Sequence, residues 1–245
     1  GVLGSVDPYM TINTNNIVYG DPDTNSVTTR EFSVTASSST PAGHNVEFTI
    51  NFTGNLGITG EGAFNVVVGQ IPVLIIDVDP THNSANKIQE SIVNCDQSSE
   101  LVTTFPTDLS LYSSIFVCLG IYSSNHELSV AEGQQLANYL TAGGRLYMEG
   151  GDTWYYDDPT PVHAMFNIDG TADGTSDLGT IQGQPNSLGQ GMTFTYSGEN
   201  GYIDHIVALS PAVLMFNNVT PSYGVAVQYN AGTYKTIGSS FEFGG

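Results

Sequence analysis

The chain has 245 residues, and only 4 are Lys or Arg against 24 Asp or Glu, a formal charge of −20. So anionic a chain repels nucleic-acid phosphates and anionic membrane surfaces, which excludes both as partners. No apolar run reaches the ~18 residues of a spanning helix, so the sequence predicts no membrane insertion.

Charged residues are only 11% of the chain, so neutral polar groups must share in solubility, as suits a secreted or cell-surface protein. The acidity reads as solubility ahead of any specific cationic partner, and divalent cations stay open as partners. Two cysteines, Cys95 and Cys118, are too few for a disulfide framework. Cys118, inside SIFVCLG, reads as a small buried hydrophobe, and whether the two pair is left open.

From Asp7 to Gly69 short alternating runs predict strands: YMTIN, NIVYG, EFSVTAS, VEFTINF and GAFNVVVG. Val46, Phe48, Ile50 and Phe52 fall on one side of such a strand, with Glu47, Thr49 and Asn51 on the other. The segments DPDTNS, SSSTPAG and TGNLG separate the runs as turns. Five strands at this spacing predict a partial immunoglobulin-like β-sandwich over residues 1–70, since the complete fold has about seven.

Over residues 71–245 the pattern changes. IPVLIIDV reads as a strand buried on both faces, the mark of a parallel sheet. A helix follows in HNSANKIQESIVNC, with Asn83 as cap and Ile88 and Ile92 at helical spacing, then strands near LVTTF and SSIFVCLG. In LSVAEGQQLANYLTAGG, Ser129 and Glu132 predict a capping box, Val130, Leu136, Tyr139 and Leu140 an apolar face, and Gly143 a stop. RLYMEGG begins another strand. Strands alternating with helices predict an α/β fold with a doubly wound, mostly parallel sheet. Strands at TFTYS, VLMFNN, VAVQY and YKTIGSSFEF, and a short helix near YIDHIVAL, extend it.

NYLTAGGRLYMEGGDTWYYDD and YKTIGSSFEFGG resemble signatures of the class I glutamine amidotransferase-like domains of large secreted Bacteroidetes-type proteins. DPYMTI, SSSTPAGHNVEFTINF and FNVVVG resemble the immunoglobulin-like domain that precedes such modules. The pairing is similar to the neighbourhood of gingipain-type peptidases and other type 9 secretion cargo. The resemblance implies further sandwich strands before the DPY motif and a final helix after the last strand. It implies a location more than an activity.

An amidotransferase-type enzyme needs a thiol on a strand-to-helix elbow, and near Ile121 and Tyr122 there is none. Ser123 or Ser124 with His126 lacks a G-x-S-x-G frame. Ligands bind beyond the carboxyl ends of strands in open α/β sheets. There Asp77, Asp79, His82, Glu149, Asp152 and Glu242 form a candidate ligand-site edge, and Asp77, Asp79 and Asp152 a candidate oxygen-rich site for Ca²⁺ or Mg²⁺. In the structural alternative these acids bond turn amides. Trp154, Tyr155 and Tyr156 are a candidate aromatic contact for sugars or a protein, with core packing of at least two as the default.

The reading that follows is a non-catalytic structural or adhesive module whose partners are other protein chains or cell-surface glycans. Assembly into a homo-oligomer or filament through strand addition belongs to that reading. The alternatives are a peptidase- or glycosidase-like hydrolase using the carboxylate edge, and a carbohydrate-binding module.

Overall fold

The computed structural model describes residues 1–21, 23, 25–41, 44–69 and 71–245, so the predicted turns at 21–26 and 37–43 fall partly outside the described residues. Two compact units divide at Ile71 and Pro72. In the first, β1 (Val2–Gly4), β4 (His44–Thr53) and β5 (Thr59–Val68) form one sheet, and β2 (Met10–Ile12) pairs antiparallel with β3 (Val34–Ala36). The β4–β5 hairpin runs in unbroken register from His44↔Val68 to Thr53↔Thr59.

Alternation holds in the middle of β4, where Val46 and Phe48 are buried with Leu3, while Phe52 is exposed against Tyr19. The predicted strand NIVYG reduces to a single bridge, Val2↔Asn16. β1, which the turn-like GSVDP disguises, takes the place beside β4. The first unit is thus a three-stranded sheet and a two-stranded ribbon, with Met10 and Ile12 of the ribbon packed against Leu3, Val46 and Phe48 of the sheet.

The second unit has β6 (Ile71–Asp77), α1 (Asn83–Asn94), β7 (Ser99–Val102), β8 (Tyr112–Cys118), α2 (Val130–Thr141) and β9 (Arg145–Glu149). Then come β10 (Ile168–Ala172), β11 (Thr180–Gly183), β12 (Thr193–Thr195), β13 (His205–Ala208), β14 (Val213–Asn218), β15 (Tyr223–Asn230) and β16 (Lys235–Ser239). They form one 11-stranded sheet in the order β12-β11-β14-β15-β16-β9-β8-β6-β7, with β13 bridging β10 and β15. Pairing is parallel for β6–β7, β8–β9 and β9–β16, and antiparallel from β16 outward through β15, β14, β11 and β12.

This overturns the doubly wound α/β prediction. A doubly wound sheet needs a crossover helix between successive parallel strands. After β9 the strands turn back on one another, and the described residues hold α1 and α2 as their only α-helices. The architecture is mostly β with a large mixed sheet. The segment YIDHIVAL, predicted helical, is extended and carries β13.

Local signals explain the two helices. Ser129 and Glu132 form the reciprocal capping box, and Leu136, Tyr139 and Leu140 are buried, while Val130 in the first turn is exposed. The cap of α1 is His82, at φ 58°, and not Asn83, whose N–H instead donates to Asp79 Oδ2 at 3.3 Å. Ile88 and Ile92 pack α1 on Val73, Ile75 and Cys118. A second core, around Ile181, Ile203, Phe216, Val225 and Phe241, fills the antiparallel half. Asn218, a formal glycosylation acceptor with Asn51, is fully buried, and its amide donates to the carbonyls of Asp177 and Pro221. No helix among the described residues is long and apolar enough to cross a membrane.

Candidate functional site

The parallel register of β9 and β16 carries Glu149 and Glu242 to one end of the sheet, and β6 delivers Asp77 and Asp79 to the same end. Glu149 Oε2 accepts the Tyr147 hydroxyl at 2.5 Å and the Phe243 N–H at 2.7 Å. Asp79 accepts the Thr81 N–H and hydroxyl, both at 2.8 Å, as well as the N–H of Asn83. Gly120, at φ +84°, makes room for it, since a Cβ there would lie 2.7 Å from Asp79 Oδ1. These two acids therefore tie turns to the sheet. His82 Nδ1 lies 2.7 Å from Asp77 Oδ2, and the pair borders an open cleft of about 320 Å³ with His126 and Glu132.

Glu242 differs from its neighbours. It is buried, and neither of its oxygens accepts a donor among the described residues. Burial, then the charges of Asp79 and Glu149, push its carboxyl up to about 8. Burial likewise raises Asp77 and Glu149. It also drives the Cys118 thiol well above its usual range, and both cysteines are free.

Asp152 leaves this group. It follows β9 in the turn Gly150–Gly151–Asp152 and meets Asp173, just after β10, and Asp204, just before β13. One oxygen from each lies within 4.8 Å of the others. Asp152 and Asp204 are buried, and each of the three keeps an oxygen that has no donor among the described residues and is shut off from solvent. At that spacing two ionised carboxylates repel by roughly 3–4 kcal/mol at an effective dielectric of ~20. Asp204 Oδ2 accepts the N–H groups of Trp154 and Tyr155 at 2.9 and 2.8 Å. The Trp154 and Tyr155 amides of this turn are thus held by Asp204 and not by Asp152. Burial, then the charges of Asp157 and Asp173, raise Asp152 to about 6. Burial lifts Asp204 to about 7, with Asp152 and Asp173 adding to the shift against those two amides. The trio is a donor set that could hold a metal, in place of the predicted Asp77, Asp79 and Asp152.

Above it lies a pocket of about 250 Å³ lined by Tyr122, Asp152, Tyr156, Asp173 and Tyr202. The tyrosines are 57%, 70% and 49% exposed in that order. Tyr122 and Tyr202 meet edge to face at 5.4 Å. Tyr202 holds φ 54°, a left-handed backbone that a bulky residue rarely adopts and that marks local constraint.

The predicted aromatic trio is split. Trp154 packs edge-on against Phe166 and His163 and donates Nε1–H to the Ser239 carbonyl at 2.8 Å. Tyr155 is exposed, and Tyr156 lines the pocket. No sequence motif marks Tyr122, Asp173, Tyr202 or Asp204 as site residues. The signals available were Asp204 set between Ile203 and Ile206, and Tyr202 following Gly201. His126, the base weighed for Ser123 or Ser124, sits 3.2 Å from Glu132 Oε2.

No family model and no curated protein matches the chain. Among solved structures it is similar to a β-galactosidase from Rahnella sp. R3, at TM-score 0.53 and 12% identity, covering 71% of this chain and 29% of that one. It is also similar to an exo-β-1,4-mannosidase from Opitutaceae bacterium strain TAV5, at TM-score 0.50 and 8% identity, covering 70% and 31%. The chain therefore spans less than a third of either enzyme. The likeness is one of fold.

Proposed function

We propose that the second unit is a non-catalytic saccharide-binding module of a secreted or cell-surface multidomain protein, of the type 9 secretion kind that the sequence resembles. The observation that carries this reading is the convergence of Tyr122, Tyr156 and Tyr202, from three separate segments, on one concave pocket floored by Asp152 and Asp173. Sugar rings present C–H faces to aromatic rings and hydroxyls to carboxylates, and a small pocket with aromatic walls and a few convergent polar groups suits them.

The carboxylates also weigh against hydrolysis. A glycosidase sets two carboxyls about 5–9.5 Å apart, on either side of the scissile bond. Here three acids crowd together, each with an oxygen withdrawn from solvent.

The test is calorimetric titration of the whole chain with neutral oligosaccharides, β-linked galacto- and manno-configured ones first. Saturable binding is expected, and Tyr156→Ala and Tyr202→Ala should each weaken it about tenfold, ~1.4 kcal/mol. If no oligosaccharide of a broad panel binds, or if both variants bind as the parent does, the reading fails. Release of reducing sugar would instead favour the hydrolase.

A further inference from the structure

We propose that Asp152, Asp173 and Asp204 form a Ca²⁺ site beneath the tyrosine pocket. Three independent features of the chain lead there.

The first is geometry. The donor oxygens lie within 4.8 Å of one another. A Ca²⁺ ion with oxygens at about 2.3–2.6 Å accepts ligands anywhere within that bound, and Ca²⁺ takes all-protein oxygen cages whereas Mg²⁺ dehydrates reluctantly and usually keeps several waters. All donors are carboxylate oxygens, the hard ligands these ions take.

The second is the unmet demand of buried groups. Asp152 and Asp204 are buried, and Asp152 Oδ2, Asp173 Oδ1 and Asp204 Oδ1 have no donor among the described residues. Buried carboxylates are ordinarily paired, hydrogen-bonded or bound to a cation. The second unit cannot supply the counter-charge from its Lys and Arg residues. Arg145 and Lys235 begin β9 and β16, at the opposite end of those strands from Asp152, and Lys87 on α1 pairs with Glu90. His205, next to Asp204, stacks on Tyr223 with Nε2 3.8 Å from Asp177.

The third is orientation. The Trp154 and Tyr155 amides fix one oxygen of Asp204, which is the kind of outer support that positions a metal ligand. The ion would tie together the segments after β9, after β10 and before β13, from which the pocket's Tyr156 and Tyr202 also project.

The experiment uses the metal alone, so its outcome is independent of whether a saccharide binds. The whole chain is freed of metal with chelator, then titrated with Ca²⁺ and separately with Mg²⁺ by calorimetry and thermal melting. Tb³⁺ luminescence sensitised by the nearby tyrosines gives a third readout. One Ca²⁺ per chain is expected, with a Kd at or below ~1 mM, the weak end for extracellular modules. Ca²⁺ should bind at least tenfold tighter than Mg²⁺ and raise the melting temperature. Asp173→Asn, at a partly exposed position, should weaken Ca²⁺ at least tenfold and leave the metal-free melting temperature unchanged or higher. Asp152→Asn should act in the same direction. Absence of saturable Ca²⁺ binding, equal affinity for Mg²⁺, or undiminished binding by Asp173→Asn in folded protein would overturn the assignment.

Discussion

Replacing Glu242 by Gln should stabilise the protein in alkaline buffer and leave it unchanged in acid. Glu242 is buried against Asp79 and Glu149, and its carboxyl is displaced from the ordinary 4.5 to about 8. Between those pH values the native state holds a proton that the unfolded state has released, so stability falls as pH rises through the window and levels off above it. At ~1.4 kcal/mol per pKa unit the full displacement corresponds to ~5 kcal/mol. Part of it is mutual repulsion with Asp79, which a proton on either carboxyl relieves, so the gain expected from the amide is ~2–3 kcal/mol. Gln keeps the shape, and its N–H can donate to Asp79 at every pH. At ~2–4 °C per kcal/mol for a chain of this size, Glu242→Gln should melt ~4–12 °C higher at pH 9 and within ~1 °C of the parent at pH 4.5. Scanning calorimetry at four pH values would decide it. A variant that melts lower at pH 9, or whose difference from the parent does not change with pH, refutes the reasoning.

Further consequences concern other links in the fold. Cys95, exposed, should react with a disulfide-exchange reagent in native protein while Cys118, buried with its thiol held protonated, reacts only on unfolding; equal rates would contradict this. Ser129→Ala removes the capping box of α2 and should cost ~1 kcal/mol in denaturant unfolding. Trp154→Phe removes the indole donor to the Ser239 carbonyl, which keeps the Gly150 N–H, and should cost ~0.5–1.5 kcal/mol. That variant should keep saccharide affinity, and a loss as large as that of Tyr156→Ala would make Trp154 part of the binding surface.

What the sequence revealed was local. Ser129 and Glu132 lie three residues apart, and Ile88 and Ile92 four, so the capping box and the buried stripe of α1 are legible without tertiary knowledge. The run IPVLIIDV is equally plain, because a strand covered on both faces has no polar side to show. Local spacing stops being informative where pairing is non-local. Ile203, Ile206 and Val207 fall at helical spacing, yet the segment is extended because β13 is hydrogen-bonded to β10 and β15. That same pairing, Ile168↔Ala208 through Ala172↔His205, brings Asp173 to Asp204. The trio was therefore hidden by the misassigned element. The place of Asp152 after a strand is legible in the sequence, but its partners lie on the antiparallel half of the sheet and not at the edge of Asp77, Asp79, Glu149 and Glu242.

The measurement that tests the central claim most directly is a crystal structure of the chain soaked with an oligosaccharide in the presence of CaCl₂. The account predicts a sugar ring against Tyr122, Tyr156 or Tyr202, its glycosidic bond intact, with hydroxyls toward Asp152 and Asp173. A ring seated instead in the cleft of Asp77, His82, His126 and Glu132, or a sugar found cleaved above the aspartates, would contradict it.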